Sequence, residues 1–371
     1  MRTLDRETSR RIASLGLVCA VFVVILHAAQ PAPADPATAA WWLNAMTAGT
    51  FGRLAVPFFF AVSGFFLARH ADAPGWWRRE TAKRIGSLLV PFAFWSCVWA
   101  ALVSSESIVR NALSGASPVV AVPQGRTLVR FLGLDPFSAP ADPPLWFLRC
   151  LFVFAVLSPA IFFAVRRGGV LLPAISLLLS AVVSSGVLPP KTSGLLTYGF
   201  SVEGLAFYSA GAWLAFSEKA LPQGRAAASV SAAGASGLVL SRVLAAAGSP
   251  VADPLQKLAL PAALFALWRF FPRVRIGHSA ASCAFAVYLV HPVVVRVSNA
   301  FFYGRNGCLA LILKFAGFSA VSLALALVLG KAPPVFRKVA FGGRGGKGEP
   351  RDLPSSAPGP APALPTKEPA P

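Results

Sequence analysis

Runs of about twenty apolar residues recur along this chain and constrain its fold more than any other feature. A hydrocarbon slab is ~30 Å thick, and a helix rising ~1.5 Å per residue needs about 20 residues to cross it. Backbone amides inside that slab meet no water, so a crossing segment closes its hydrogen bonds within a helix. Ten such runs lie near 12–30, 51–69, 85–103, 145–165, 170–188, 195–216, 226–247, 255–271, 281–302 and 308–330. The seventh, rich in Ala, Ser and Gly, and the eighth, which is short, are the weakest. Composition agrees: 56% of residues are hydrophobic and 13% are charged, against roughly 25% charged in a soluble domain. Mean hydropathy is +0.64. The expected fold is an all-α, polytopic transmembrane bundle of about ten helices spanning residues 1–340.

The net charge of +20 has a pattern. Arg2, Arg6, Arg10 and Arg11 precede the first run. Arg69, Arg78, Arg79, Lys83 and Arg84 follow the second, Arg166 and Arg167 the fourth, and Lys219 and Arg225 the sixth. Arg269, Arg273 and Arg275 follow the eighth, and Lys331, Arg337 and Lys338 the tenth. The alternate connections are poor in Lys and Arg; even the long 104–144 loop holds only Arg110, Arg126 and Arg130. Cytoplasmic loops retain such basic residues, so both termini are expected in the cytoplasm and the number of spans is even. The same charge faces anionic lipid. Dispersed over separate loops without a binding motif, it argues against nucleic acid as a partner.

From 341 to 371 the chain is rich in Gly and Pro, cannot bury a core, and is expected to be a disordered cytoplasmic tail. Its "GGRGGKG" lacks the spacing and hydroxyl residue of a phosphate loop. The basic start, apolar core and "HAAQPAPA" could pass for a cleaved leader, but removing them would make the remaining charge pattern odd in number. The five cysteines fall in apolar runs without metal-type or CxxC spacing and read as small buried hydrophobes; no metal is implied. No internal repeat of the transporter kind is visible.

Ionisable residues inside a span are costly unless they face protein or water, so each is a functional candidate. His27 lies sixteen residues after Arg11, about 24 Å along a straight helix. His291 lies thirteen after His278, about 20 Å along its own. Arg53 and Arg149 enter their runs from the outer side, Glu203 sits about a third of the way down the sixth, and Arg296 follows His291 by one and a half turns. Counted this way, the groups converge on the outer half of the bilayer as a polar pocket. Singly, the arginines also read as headgroup-seeking, and Glu203 as the structural partner of one of them. Lys314 and Arg242 read as isolated structural charges.

Five fragments then resemble the bacterial membrane acyltransferase type 3 family, ten-helix enzymes that O-acylate surface carbohydrates and related acceptors. "RRIASLGLVCAVFVVILHA" is similar to its first helix, ending in the functional histidine at His27. "GRLAVPFFFAVSGFFL" is similar to its second, with Arg53, Pro57, Ser63 and Gly64. "KRIGSLLVPFAFWS" resembles its entry to the third, at Arg84, Pro91 and Trp95. "PLWFLRCLFVFAVLSP" carries its Trp-Phe-Leu-Arg motif at Trp146 and Arg149, and "SCAFAVYLVHPVVV" its Tyr-Leu-x-His-Pro signature at Tyr288, His291 and Pro292. One position departs: the family usually has an arginine eleven residues before the first histidine, and Gly16 stands there. Arg11 is five residues earlier, about 140° around the helix, and a poor direct substitute.

The resemblance implies transfer of an acyl group, in particular acetyl, from acyl-CoA as co-substrate, with no tightly bound cofactor, to a hydroxyl of a carbohydrate or glycolipid of the cell envelope. It also implies residence in the bacterial inner (cytoplasmic) membrane. Such a hydroxyl needs a base during attack, and a neutral imidazole of ordinary pKa near 6.5 suits that role. His27 is the expected base and His291 a second proton carrier or carbonyl polariser. Arg53 and Arg149 are expected to steady the oxyanion or grip the sugar, with Trp146, Glu203, Tyr288 and Arg296 as further acceptor contacts. Arg78, Arg79, Lys83 and Arg84 are the expected donor-phosphate site. No G-x-S-x-G elbow is present, so transfer is expected to be direct. Two other readings remain open at this point: a transporter or flippase of a lipid-linked sugar, and a non-catalytic relative in which Gly16 marks the loss of activity. Acceptor identity and oligomeric state are not written in the sequence.

Overall fold

The computed structural model describes residues 5–114, 125–217, 221–271, 276, 282–302 and 304–343. The Gly/Pro-rich tail beyond Gly343, His278, and part of the 104–144 loop lie outside the described residues. Helices α1 (Arg6–Ala28), α2 (Ala39–Ala68), α3 (Trp76–Leu113) and α4 (Pro143–Gly168) are followed by α5 (Leu171–Ser184). Then come α6 (Val202–Ser217), α7 (Gly224–Ala246) and α8 (Ala252–Phe270). The last are α9 (Ala284–Phe302), α10 (Cys308–Leu329) and the short α11 (Pro334–Phe341). The protein is an all-helical, multi-pass bundle.

Each of the ten apolar runs is helical, but among the described residues seven helices are long and apolar enough to cross a membrane: α1, α2, α3, α4, α7, α9 and α10. The expectation of ten equal spans is corrected at three places. Helix α5 has 14 residues, about 21 Å of rise. The sixth run breaks into a helical turn at Pro190–Gly194, a π turn at Leu195–Gly199 and an extended Phe200 before α6 begins. Helix α8 carries Asp253, Gln256, Lys257 and Arg269 in 19 residues, too polar for a lipid-facing span. Short, irregular or polar elements at membrane depth are tolerated where they line a cavity, and all three of these do so below.

Local irregularities have local causes. Helix α2 passes through a π turn at Thr47–Phe51 and a 3-10 turn at Gly52–Leu54, and α3 through a π turn at Ile85–Leu89. Each disturbance precedes a proline, Pro57 or Pro91, whose ring has no N–H and crowds the carbonyl one turn back.

Small residues bring helices into contact. A Cβ added to Gly64 of α2 would sit 1.9 Å from the Tyr208 carbonyl oxygen of α6, and one added to Gly211 would sit 1.9 Å from that of Ala61. Gly234 of α7 meets the Ala263 amide of α8 in the same way, at 2.3 Å. This is the small-residue packing of membrane helices, where close backbone approach replaces hydrophobic drive. Around the α2–α6 crossing, Phe60, Phe147, Phe154 and Tyr208 form a chain of rings with centroids 4.8–5.6 Å apart.

Several contacts join basic connections. Arg11 of α1 donates to the Trp268 carbonyl at the end of α8 and lies 4.3 Å over its ring. Asp72, between α2 and α3, pairs with Arg166 at the end of α4 at 2.5 Å. The Trp95 indole of α3 donates to Ala340 of α11 at 2.9 Å, and Phe341 is fully buried. The beginnings of α1 and α3 therefore share one side with the ends of α2, α4 and α8. Cys19, Cys150 and Cys283 are buried as expected of small hydrophobes, whereas Cys97 faces outward from α3.

Candidate functional site

At the opposite side, a cavity of about 440 Å³ opens among the ends of α1 and α5, the 3-10 turn of α2 at Arg53, and the beginnings of α4, α6 and α8. Its size falls within the ~300–1,000 Å³ of ordinary ligand sites. Its walls include His27, Arg53, Trp146, Glu203, Lys257 and Tyr288. The irregular 195–199 turn supplies another wall through Leu196, Thr197 and Tyr198.

His27 sits in the last turn of α1, half-buried. Behind it the His291 ring is 5.1 Å away, centroid to centroid, and tilted by 41°. His291 is fully buried, and its Nδ1 lies 2.5 Å from the Tyr288 carbonyl oxygen. A carbonyl only accepts, so Nδ1 carries the proton. In the neutral ring Nε2 is then a lone pair, and no group among the described residues meets it.

Pro292 explains why that carbonyl is free. In a regular helix the Tyr288 carbonyl would accept the N–H of residue 292, which proline lacks. The orphaned oxygen takes the adjacent histidine instead. The His-Pro pair is thus one device: the proline empties an acceptor and the histidine fills it, fixing tautomer and ring. Tyr288 is fixed in turn, donating its hydroxyl to the Pro144 carbonyl at 2.5 Å and packing edge-on against Phe147 at 5.5 Å.

Two residues expected in the pocket lie elsewhere. The Arg149 guanidinium does not line the cavity. It donates to four backbone carbonyls: Gly133 at 3.0 Å, Asp135 at 2.7 Å, Ser138 at 3.1 Å and Tyr198 at 2.8 Å. It straps the loop before α4 to the 195–199 turn, and Ala139 and Tyr198 from those segments line the cavity. Packing there is close, since a Cβ on Gly194 would come within 2.1 Å of the Phe137 carbonyl oxygen. Arg296 is also away from the cavity. It makes a two-pronged pair with Glu106 of α3 at 2.8 and 2.6 Å and lies 5.2 Å from the Trp99 ring.

Glu203 does have a structural partner, but the partner is Lys257 of α8, not an arginine. Lys257 escapes a reading of the sequence because it begins a weak run and looks like a border charge. A lone lysine and a lone glutamate at the outer starts of two apolar helices are the signal that would have paired them. Lys314 is buried, its Nζ 3.2 Å from the Asn306 side-chain oxygen, and Arg242 pairs with Asp253 at 3.6 Å; neither lines the cavity.

Arg78, Arg79, Lys83 and Arg84 lie on the first turns of α3, at the basic side and away from the cavity. Arg78, Arg79 and Lys83 are exposed and Arg84 half-buried, and Lys83 pairs with Glu80 at 2.6 Å. Gly16 is buried beside Ala284 at the start of α9, where an added Cβ would make an ordinary 3.9 Å contact. Among the described residues no group of three or more His, Cys, Asp or Glu could hold a metal ion.

A family model described as an acyltransferase domain, the acyltransferase 3 type, matches residues 17–331. The chain belongs to that family. The match covers most of the chain and begins one residue after Gly16. No curated protein and no solved structure matches the chain. As an acyltransferase 3 membrane protein it is a transferase.

Proposed function

We propose that the protein is an integral membrane O-acyltransferase that moves an acyl group, in particular acetyl, from acyl-CoA to a hydroxyl of a cell-envelope carbohydrate. The observation that carries this reading is His27 on the cavity wall with the buried His291 ring 5.1 Å behind it. His27 takes the acceptor proton as the hydroxyl oxygen attacks the thioester carbonyl. The oxyanion collapses, the carbon–sulfur bond breaks, and the imidazolium returns the proton to the leaving thiolate. One ester forms, one thioester breaks, and no oxidant or metal is needed.

His291 acts through His27. With Nδ1 committed to the Tyr288 carbonyl, its Nε2 lone pair is free to accept a hydrogen bond from His27 once that ring becomes the imidazolium. Arg53 lines the same cavity and gives that wall a positive charge. Arg149 supports the site by holding the cavity wall, not by touching the reacting atoms. Trp146 and Tyr288 give the acceptor ring an apolar surface.

The acyl-CoA arrives from the cytoplasm, on the side bearing Arg78, Arg79, Lys83 and Arg84, while the acceptor enters from the outer side. The positive-inside pattern supports that orientation, with both termini in the cytoplasm of a bacterial inner membrane. Surface glycans from cells making the wild-type protein or His27→Ala test the function by mass spectrometry. An acyl ester present with wild type and missing with the variant, at equal protein levels, is expected. Equal esterification would overturn the role of His27.

A further inference from the structure

The charges on the cavity wall do not balance. Two cations line it, Arg53 and Lys257, against one carboxylate, Glu203. Lys257 is bonded to Glu203, which accounts for that pair. Arg53 has neither a carboxylate nor a hydrogen-bond partner among the described residues. The wall holds no other Asp or Glu. The next charges outward cancel: Arg242 lies against Gly49, one turn before Arg53, and pairs with Asp253.

Arg53 lines the cavity but is itself exposed, so its guanidinium is open to an anionic ligand entering there, and no carboxylate among the described residues competes for it. Its planar fork matches a carboxylate or phosphate in two-point contact. Across the cavity, Lys257 is held by a single carboxylate, so its remaining donors stay free for a ligand.

We propose that the acceptor bound in this cavity is acidic, carrying a carboxylate or phosphate near the hydroxyl to be acylated, with Arg53 as its main partner and Lys257 as the second. This rests on the reading of the cavity as the acceptor site. A neutral sugar would fill the space and leave Arg53 without a counter-charge. The same chemistry is present in the phosphates of the acyl donor, so the test separates the two sources.

The full-length protein in lipid nanodiscs is titrated with methyl β-D-glucuronide and methyl β-D-glucoside, which differ only in a carboxylate for a hydroxymethyl group, and separately with coenzyme A. Ligand-observed NMR reads the binding. The glucuronide is expected to bind roughly tenfold more tightly, the scale of one charge-assisted contact. That preference should fall to near unity in Arg53→Gln, shrink in Lys257→Gln, and grow in Glu203→Gln, which releases the lysine. Thermal unfolding verifies that each variant is folded, and raised NaCl in the wild type gives the same loss without any substitution.

Equal binding of the two glycosides by the wild type would overturn the proposal, as would a preference that survives both Arg53→Gln and Lys257→Gln. Lost coenzyme A binding in Arg53→Gln with the glycoside preference intact would assign the anion to the donor, and so overturn it too. Because binding is read, not transfer, His27→Ala should keep the preference. A protein that fails to acylate anything could still pass.

Discussion

Proline in α9 acts through an absence, the missing N–H that releases the Tyr288 carbonyl to His291. Pro292→Ala should restore the helical bond and set His291 Nδ1 in competition with an amide for one oxygen. The expected result is a straighter, more stable helix with acyl transfer reduced by at least about tenfold, as for a weakened acid–base group. Unchanged transfer would separate the tautomer from the function. A second residue-scale test lies just outside α4. Asp142 is buried and its Oδ1 has no partner; burial pushes its carboxyl up to about 8 from an ordinary 3.8. Between those values the unfolded chain has lost a proton that the folded chain keeps, so the carboxyl costs more stability as pH rises. Asp142→Asn should therefore gain thermal stability over wild type progressively from pH 5 to pH 8, and the gain should level off above that. A pH-independent difference would contradict this account.

Among elements, α2 and α6 are coupled most closely, because glycine lets each backbone touch the other. Gly64→Ala places a methyl 1.9 Å from a carbonyl oxygen that no rotamer change can move. The expected loss is about 3 kcal/mol, the upper part of the range for overpacking, read as a lowered unfolding temperature in detergent; a shift within error would show that the helices part freely. The Arg149 strap makes a different prediction. Arg149→Gln removes most of the donors that tie residues 133–138 to Tyr198, so proteolysis in that loop should rise while α4 stays helical. This role could not be read from sequence, because its partners are backbone carbonyls, which no residue type announces. The Glu106 partner of Arg296 was hidden for another reason: α3 runs on to Leu113, past the end of the apolar run near 85–103. By contrast, the place of His27 at the end of α1 was legible, since helical rise converts residue counts into height. The count to His291 started from His278, outside the described residues, and α9 begins only at Ala284.

For the whole molecule, hydrophobic run length located the ten helices but overstated the number of lipid-crossing spans. It could not tell that the fifth is short, the sixth broken and the eighth polar, all three around the cavity they help to wall. A polytopic chain keeps such elements because protein and cavity solvate them where lipid would not. The resulting molecule has two chemically distinct sides, one with exposed Arg78, Arg79 and Lys83, the other with the histidine pair and its cavity. The central claim is that His27, backed by His291, removes a proton from a bound hydroxyl during acyl transfer. Purified protein in nanodiscs, supplied with radiolabelled acetyl-CoA and the envelope glycan fraction, measures this most directly. Wild type should transfer label to glycan, and His27→Ala should do so at least about a hundredfold more slowly, with coenzyme A binding unchanged. Transfer at the wild-type rate by folded His27→Ala would contradict the account.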